Sequence, residues 1–438
     1  MFAYYIELGL RSLRRNPVLT SLMVMAIGFG VAASMTTYAV FRAVSGNPFP
    51  EKSSQLFVPQ IDNWGPQSRK TGGDLPESLS YTDAMALMHA HRATKQTAIY
   101  PVGFTLVPVD PTNQPFAVKG YAAYADFFAM FDVPFQYGGG WQAADDENRA
   151  NAVVISASLN QKIFAGANSV GREIQLDGRD YRIVGVLADW DPRPRFYDVN
   201  NGSGFDDAPD VFMPFSRAVD LQTETQGNNN CYGTTGQGPG WGGWLHSECV
   251  WISLWVELPD TAAVTSYRSY LDAYAADQQH AGRFRWAPNI RLSNLMQWLD
   301  REHVVPRETT VALVVALGFL LVCLVNTIGL LLAKFMRRAS EIGVRRALGA
   351  SRRQIYTQFL TEAAVVGIAG GLLGLVLTAF GVLGIGLVFE PEIARLAQLN
   401  IGLVGFTLLV SVAATVVAGF YPTWRASRVQ PAWQLKAN

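Results

Sequence analysis

The chain has 438 residues, 49% of them hydrophobic and only 16% charged, below the quarter that soluble domains usually carry. Thirty-five Lys and Arg balance thirty-five Asp and Glu, and there are three cysteines. This excludes a disordered chain, which needs low hydrophobicity and high net charge, and a disulfide-dense scaffold, and it argues against a basic nucleic-acid binder.

Residues 1–16 read as an amphipathic helix. Phe2, Ile6, Gly9, Leu10 and Leu13 share one face; Glu7, Arg11 and Arg14 share another. Glu7 and Arg11 stand four apart, the spacing of a helical ion pair. Such a helix lies along a membrane surface. Pro17 to Phe41 follows as 25 residues without a charge, long enough to span a bilayer. The run exceeds the about 7–15 apolar residues of a signal peptide, and no clear A-x-A site follows, so it reads as a retained anchor.

Residues 42–308 have ordinary globular composition. Tyr81 to His91 and Thr261 to Ala276 read as helices. Ile174 to Leu187 reads as two strands joined by a tight turn at Asp177-Gly178. Val250 to Leu258 alternates as a strand with Trp251 and Trp255 on one face. The expectation is an α+β domain. Within it, Gly227 to Cys249 is rich in Asn, Gly and Trp. If the domain lies outside the cytoplasm, in an oxidising compartment, Cys231 and Cys249 are expected to form a disulfide. On that loop Tyr232, Trp241 and Trp244 read either as contacts for a partner or apolar substrate, or as local packing. His89 and His91 do not converge on a helix, and His246 near Cys249 lacks further ligands, so no metal site is expected. No Ser/His/Asp or paired-carboxylate arrangement stands out, so no catalytic residue is expected either.

Three more uncharged runs follow: Thr309 to Ala333, Ala363 to Phe389 and Leu396 to Trp424, of 25, 27 and 29 residues. The layout is four spanning helices, at 17–41, 309–333, 363–389 and 396–424, with the large domain between the first and second. The spans hold no Asp, Glu, Lys, Arg or His. Asn326 is placed to hydrogen-bond a neighbouring helix, a second subunit or a polar ligand. Gly367 with Gly371, and Gly370 with Gly374, are small-xxx-small pairs that allow close helix approach. Arg11, Arg14 and Arg15, the Arg-rich segment 334–362, and the tail 425–438 all put the basic residues on one side, which predicts both termini inside and the large domain outside. On this reading the inner pieces hold 13 Lys and Arg against Glu7, Glu341 and Glu362, and the rest of the chain holds 22 against 32 acids.

The segment 334–362 has more order than a basic patch for anionic lipids. Ile342, Val344 and Leu348 are interleaved with charges. Gly349 breaks the helix, and Ser351 is placed to cap the next one. Glu362 reads as a carboxylate at the start of the third span, where it complements the helix N-terminus.

The run Glu341-Ile342-Gly343-Val344-Arg345-Arg346-Ala347-Leu348-Gly349-Ala350-Ser351-Arg352-Arg353-Gln354-Ile355, followed by Gln358-Phe359-Leu360-Thr361-Glu362, resembles the signature of MacB/FtsX-like ABC transporter permeases. The start, Leu10-Arg11-Ser12-Leu13-Arg14-Arg15-Asn16, and the end, Tyr421-Pro422-Thr423-Trp424-Arg425-Ala426-Ser427-Arg428, are similar to that family too. So are Tyr124 to Phe128, Ala152 to Ser156, Ser169 to Gly171 and Asp177 to Val186 in the large domain. The resemblance implies that Glu341, Ile342, Gly343, Arg345, Arg346, Leu348 and Gly349 form a coupling helix seated in a separate ABC ATPase. No G-x-x-x-x-G-K-[ST] loop occurs in the sequence, so ATP and Mg would be held by that partner and not by this chain. The resemblance further implies a bacterial inner-membrane location and a second permease copy or paralogue as dimer partner. It implies a porter-like part and a distal lobe at about 120–262. In some members a periplasmic adaptor and an outer-membrane channel take part. The function implied is export by mechanotransmission. An FtsX-like regulator of a periplasmic enzyme and a lipoprotein-releasing permease are the alternatives.

Overall fold

The computed structural model describes residues 7, 11, 16–67, 74–108, 114–202, 204–231, 238–305, 307–388 and 401–427. Most of the expected N-terminal amphipathic helix, the loop 390–395 and the tail from 428 lie outside the described residues. Glu7 and Arg11 are described, and their side chains pair at 2.7 Å. The chain forms two compact units, Met1–Ser45 with Val305–Asn438, and Gly46–Val304. Helix α1, Pro17–Ser45, belongs to the first.

The second unit is built on β1 (Leu56–Ile61), β2 (Leu79–Ser80), α2 (Tyr81–Ala90), β3 (Lys95–Val107), β4 (Phe116–Ala123), α3 (Asp126–Met130), β5 (Phe135–Gly138), α4 (Ala143–Glu147), β6 (Ala152–Ile155) and α5 (Ala157–Phe164). It continues through β7 (Glu173–Leu176), β8 (Arg179–Leu187), β9 (Val211–Pro214), α6 (Phe215–Asp220), α7 (Gly240–Leu245), β10 (Val250–Glu257), α8 (Thr261–His280), β11 (Ile290–Asn294) and α9 (Leu295–Arg301). The strands form one sheet in the order β11-β1-β10-β3-β4-β9-β6-β8-β5, with β2 beside β10 and β7 beside β3 and β8. Strands from both ends of this segment, β1, β10 and β11, therefore lie together, and those of 135–214 extend the sheet on the other side.

Local chemistry explains the elements. Asp177 and Gly178 both take positive φ, 47° and 75°, the conformation whose twist suits a two-residue hairpin turn; β7 and β8 pair across it. In α8, Asp260 accepts a hydrogen bond from the Ala263 amide at 2.8 Å, and Tyr267, Leu271 and Ala275 form the buried stripe at i, i+4 and i+8. Strand β10 is buried along its whole length. Simple alternation would put Trp251 and Trp255 in one environment. The β2–β10 register shifts between Val250 and Ile252, and the two rings join different aromatic groups. Trp251 meets Tyr100 edge-on at 4.8 Å, and Trp255 meets Phe131 and Phe196.

The first unit continues with α10 (Arg307–Met336), α11 (Ala339–Ala347), α12 (Arg352–Val388) and α13 (Ile401–Ser427). Four of its helices, α1, α10, α12 and α13, are long and apolar enough to cross a membrane. Each of α10 and α12 packs against both α1 and α13. The two glycine pairs of α12 face different neighbours. A Cβ on Gly370 or Gly374 would meet Ile27 or Val31 of α1 at 2.7 and 3.0 Å, and one on Gly367 or Gly371 would meet Thr415 or Ser411 of α13 at 2.9 and 3.0 Å. Small residues let both helices close onto α12. Hydroxyls join the contacts: Ser411 donates to the Gly367 carbonyl at 2.7 Å, and Ser34 to the Ala316 carbonyl at 3.0 Å. Asn326 lies on an exposed face of α10.

Two helices run past the uncharged stretches that mark the spans. Helix α10 continues to Met336 and carries Lys334 inside it. Helix α12 begins at Arg352, so Glu362 stands in its interior. The expectation of a carboxylate complementing a helix start is therefore corrected: Glu362 is too far from the free N–H groups of the first turn. Its partners are side chains.

Candidate functional site

The segment between α10 and α12 is a helix–turn unit anchored by charge. Helix α11 ends in Leu348 and Gly349. Gly349 takes φ +97°, which a residue with a Cβ adopts only with strain. Its amide donates to Arg346 O at 3.2 Å, and that of Ala350 to Arg345 O at 3.0 Å, the paired closure of a glycine-capped helix. Ser351 then starts α12. Its hydroxyl accepts from the Gln354 amide at 3.2 Å, and the Gln354 side chain accepts from the Ser351 amide at 2.9 Å, a capping box.

Behind the turn lies a network of ions. Lys334 Nζ sits 2.8 Å from Glu362 Oε1, with the two side chains 1% and 3% exposed. Arg338 reaches the other Glu362 oxygen at 3.0 Å and Glu341 at 3.2 Å. Glu341 pairs with Arg345 at 2.8 Å, and Arg345 donates to Gln358 at 3.0 Å. Lys334 also lies 3.5 Å from the Thr20 hydroxyl of α1. One network thus touches α1, α10, α11 and α12. Beside it Ile342 packs in an apolar cluster with Phe335, Ile355 and Phe359, and the Phe335 and Phe359 rings lie 4.3 Å apart. Buried charges persist only where paired, so this corner holds its geometry.

The seven residues expected to couple to a partner divide into two groups. Ile342 and Gly343 are buried. Glu341 and Arg345 tie α11 to its neighbours. Leu348 is 83% exposed and Val344 52%; with the exposed Gly349 they form an apolar tip. Arg346 is half-buried. Sequence reasoning did not single out Lys334 and Arg338 as anchors. A signal was present: Lys334 follows one uncharged run directly, and Glu362 directly precedes the next.

In the α+β unit, Cys231 and Cys249 are joined, with Cα atoms 4.2 Å apart. Asn230 and Val250 pair across the bond. Glu248, next to Cys249, receives Arg283 at 2.7 Å, and Arg283 also holds Asp83 of α2 at 2.6 Å. Trp244 stacks on Trp251 at 6.3 Å, which is packing. Trp241 instead reaches across to α6, where its indole N–H donates to Val219 O at 3.1 Å. Tyr232 lies outside the described residues. Among the described residues no group of three His, Cys, Asp or Glu is placed to hold a metal ion.

Residues 20–274 match the family model of the MacB-like periplasmic core domain, and residues 313–431 match that of the FtsX-like permease C-terminal region. The chain belongs to the MacB/FtsX-like permease family. Among the permease's relatives, the macrolide export ATP-binding/permease protein MacB of Nitrobacter winogradskyi is 26% identical over 95% of this chain and 57% of that protein. The pyoverdine export ATP-binding/permease protein PvdT of Pseudomonas aeruginosa is 26% identical over 70% of this chain and 40% of that protein. The permease spans about half the length of the curated relatives it matches. The crystal structure of the periplasmic region of MacB from Actinobacillus actinomycetemcomitans aligns with 58% of the chain and 91% of its own at 14% identity and a TM-score of 0.35.

Proposed function

We propose that this permease is the membrane subunit of a MacB-type export system, and that ATP and Mg are bound by ATPase domains outside these 438 residues. Both termini and the coupling turn lie on the cytoplasmic side and the α+β unit in the periplasm, as the Lys/Arg bias of the short loops favours. Two permease copies, identical or paralogous, sit on two ATPases. Closure of the ATPases pushes the tip formed by Val344, Leu348 and Gly349. The ion network passes that push to α10 and α12 as one body, and the spans move the α+β unit as a lever. A periplasmic adaptor and an outer-membrane channel complete the route. The names of the relatives, which are exporters, support the transport class over a regulatory one.

The observation that carries this reading is an exposed apolar tip on a short helix whose other face is locked by buried ion pairs. Benzoylphenylalanine placed at Leu348 tests it in whole cells. Ultraviolet light should give an adduct with a protein that mass spectrometry identifies as carrying the G-x-x-x-x-G-K-[ST] loop. The same probe at Leu409, 66% exposed on a spanning helix, should not. No such adduct at Leu348, or an equal one at Leu409, removes the coupling role.

A further inference from the structure

The α+β unit carries an open pocket of about 650 Å³ bordered by α2, α4, α6 and α7, within the about 300–1,000 Å³ typical of small-molecule sites. Tyr81, Met85, Tyr124 and Phe215 line it, and Trp241 and Leu245 add further apolar surface. These groups are held in place. Tyr124 stacks on Phe215 at 5.2 Å and its hydroxyl donates to Met85 Sδ at 3.4 Å. Trp241 is fixed to Val219 O, and the segment that carries it is closed by the Cys231–Cys249 bond.

The polar lining is acidic. Asp126, Asp146 and Glu147 line the cavity, as do Arg149, Asp220, His89 and His91. Arg149, its side chain 60% exposed, pairs with Asp220 at 2.5 Å, and Asp220 also receives Arg217 at 2.8 Å. The Asp126 carboxylate accepts from the Gln96 amide at 3.0 Å. Asp146 accepts from the Ala125 amide at 2.7 Å and the Trp141 indole at 3.0 Å. These donors are neutral and add no positive charge to the wall. Burial lifts the Asp146 carboxyl to about 7, and a cation alongside would draw it back down. Glu147 is exposed at the rim.

We propose that this cavity binds a small organic cation with an apolar ring body. The rings lie against Tyr81 and Trp241, and the cationic nitrogen faces Asp126, Asp146 and Glu147. Aromatic faces attract cations as well as apolar rings, and the flexible thioether of Met85 adapts to irregular shapes. An anion would meet the acidic wall of Asp126, Asp146 and Glu147, and a neutral hydrocarbon would bring it no compensating positive charge. A cargo role for the site rests on the export reading; binding itself does not.

The test uses the full chain in nanodiscs of zwitterionic lipid, without nucleotide, with the signal of empty nanodiscs subtracted. Rhodamine 6G, a flat aromatic cation, is titrated by fluorescence polarisation, with anionic fluorescein as its counterpart. Saturable rhodamine binding is expected, at least tenfold tighter than fluorescein. Glu147→Lys should weaken it at least tenfold, and Ala143→Trp should block the rim; both positions are exposed, so the fold tolerates them. Absence of saturable binding, equal affinity for the two dyes, or wild-type affinity in both variants overturns the proposal. Binding that survives a failed Leu348 adduct would remove the coupling reading and leave the site standing; the converse would remove the site alone.

Discussion

Replacing Glu362 with Gln keeps the shape of the side chain and deletes the charge that Lys334 faces. At 2.8 Å the pair interacts by about 6 kcal/mol for an effective dielectric of about 20, against the cost of taking both ions out of water. Among the described residues, Lys334, 1% exposed, would keep the Thr20 hydroxyl and an amide. Removing one partner of a buried pair costs about 3–5 kcal/mol. Arg338 retains Glu341, so the lower end, about 3 kcal/mol, is expected. In a unit of this size that lowers Tm by about 6–12 °C. Lys334→Met should cost less, since Glu362 keeps Arg338. The double variant should be no less stable than Glu362→Gln, because the stranded ammonium is gone. Cys323 provides the assay: it is free and buried in α10, and the other two cysteines are bonded. A thiol-reactive dye in detergent therefore reports opening of the helix bundle itself. A Tm for Glu362→Gln within a degree of wild type, or a double variant well below it, would refute the anchoring role.

Three further outcomes are expected. Gly370→Leu should destabilise the bundle by about 1–3 kcal/mol through overpacking, because Ile27 lies 2.7 Å from its Cβ position, while Gly384→Ala, with nothing within 4 Å, should be neutral in the same dye assay. Alkylation of Cys231 and Cys249 should require prior reduction, and reduction should cost the α+β unit about 3 kcal/mol in the chain-entropy model, read as a lower Tm by tryptophan fluorescence. Burial lifts the carboxyls of both Asp146 and Asp198 to about 7 from an ordinary value of 3.8. Between those values the folded state holds more protons than the unfolded one, so stability should fall as pH rises from about 4 to about 7 and then level off; Asp198→Asn should flatten that slope.

Much of this architecture is legible in the residues. Charge-free length marks the four spans, because a charge in hydrocarbon is costly. Asp177-Gly178 marks its hairpin, and Gly349 followed by Ser351 marks a helix end and a new start, because each reports a local backbone demand. The ion network is harder to read. A span is recognised by ending at its first charge, whereas helix propensity carries on through Lys334 and through Arg352 to Leu360. That extension brings Lys334 and Glu362 together, and the pairing of residues 28 apart is a tertiary fact. The cavity is harder still, since its lining comes from 81–96, 124–149 and 215–245. The small-xxx-small pairs announce close contact without saying that one faces α1 and the other α13. Trp251 and Trp255 show the limit of periodicity, because one register shift separates two rings that alternation would put together.

If the α11 tip transmits the motion of the ATPase, ATP hydrolysis by the native complex depends on that tip. The complex is purified through a tag on the permease, with wild type compared against Leu348→Glu. Leu348 is 83% exposed, so the substitution leaves the fold and membrane insertion intact. The variant should lose its ATPase partner or the ATP turnover that the partner shows with wild type, while its dye-reported Tm stays unchanged. A variant that keeps both the partner and wild-type turnover would contradict transmission through the tip.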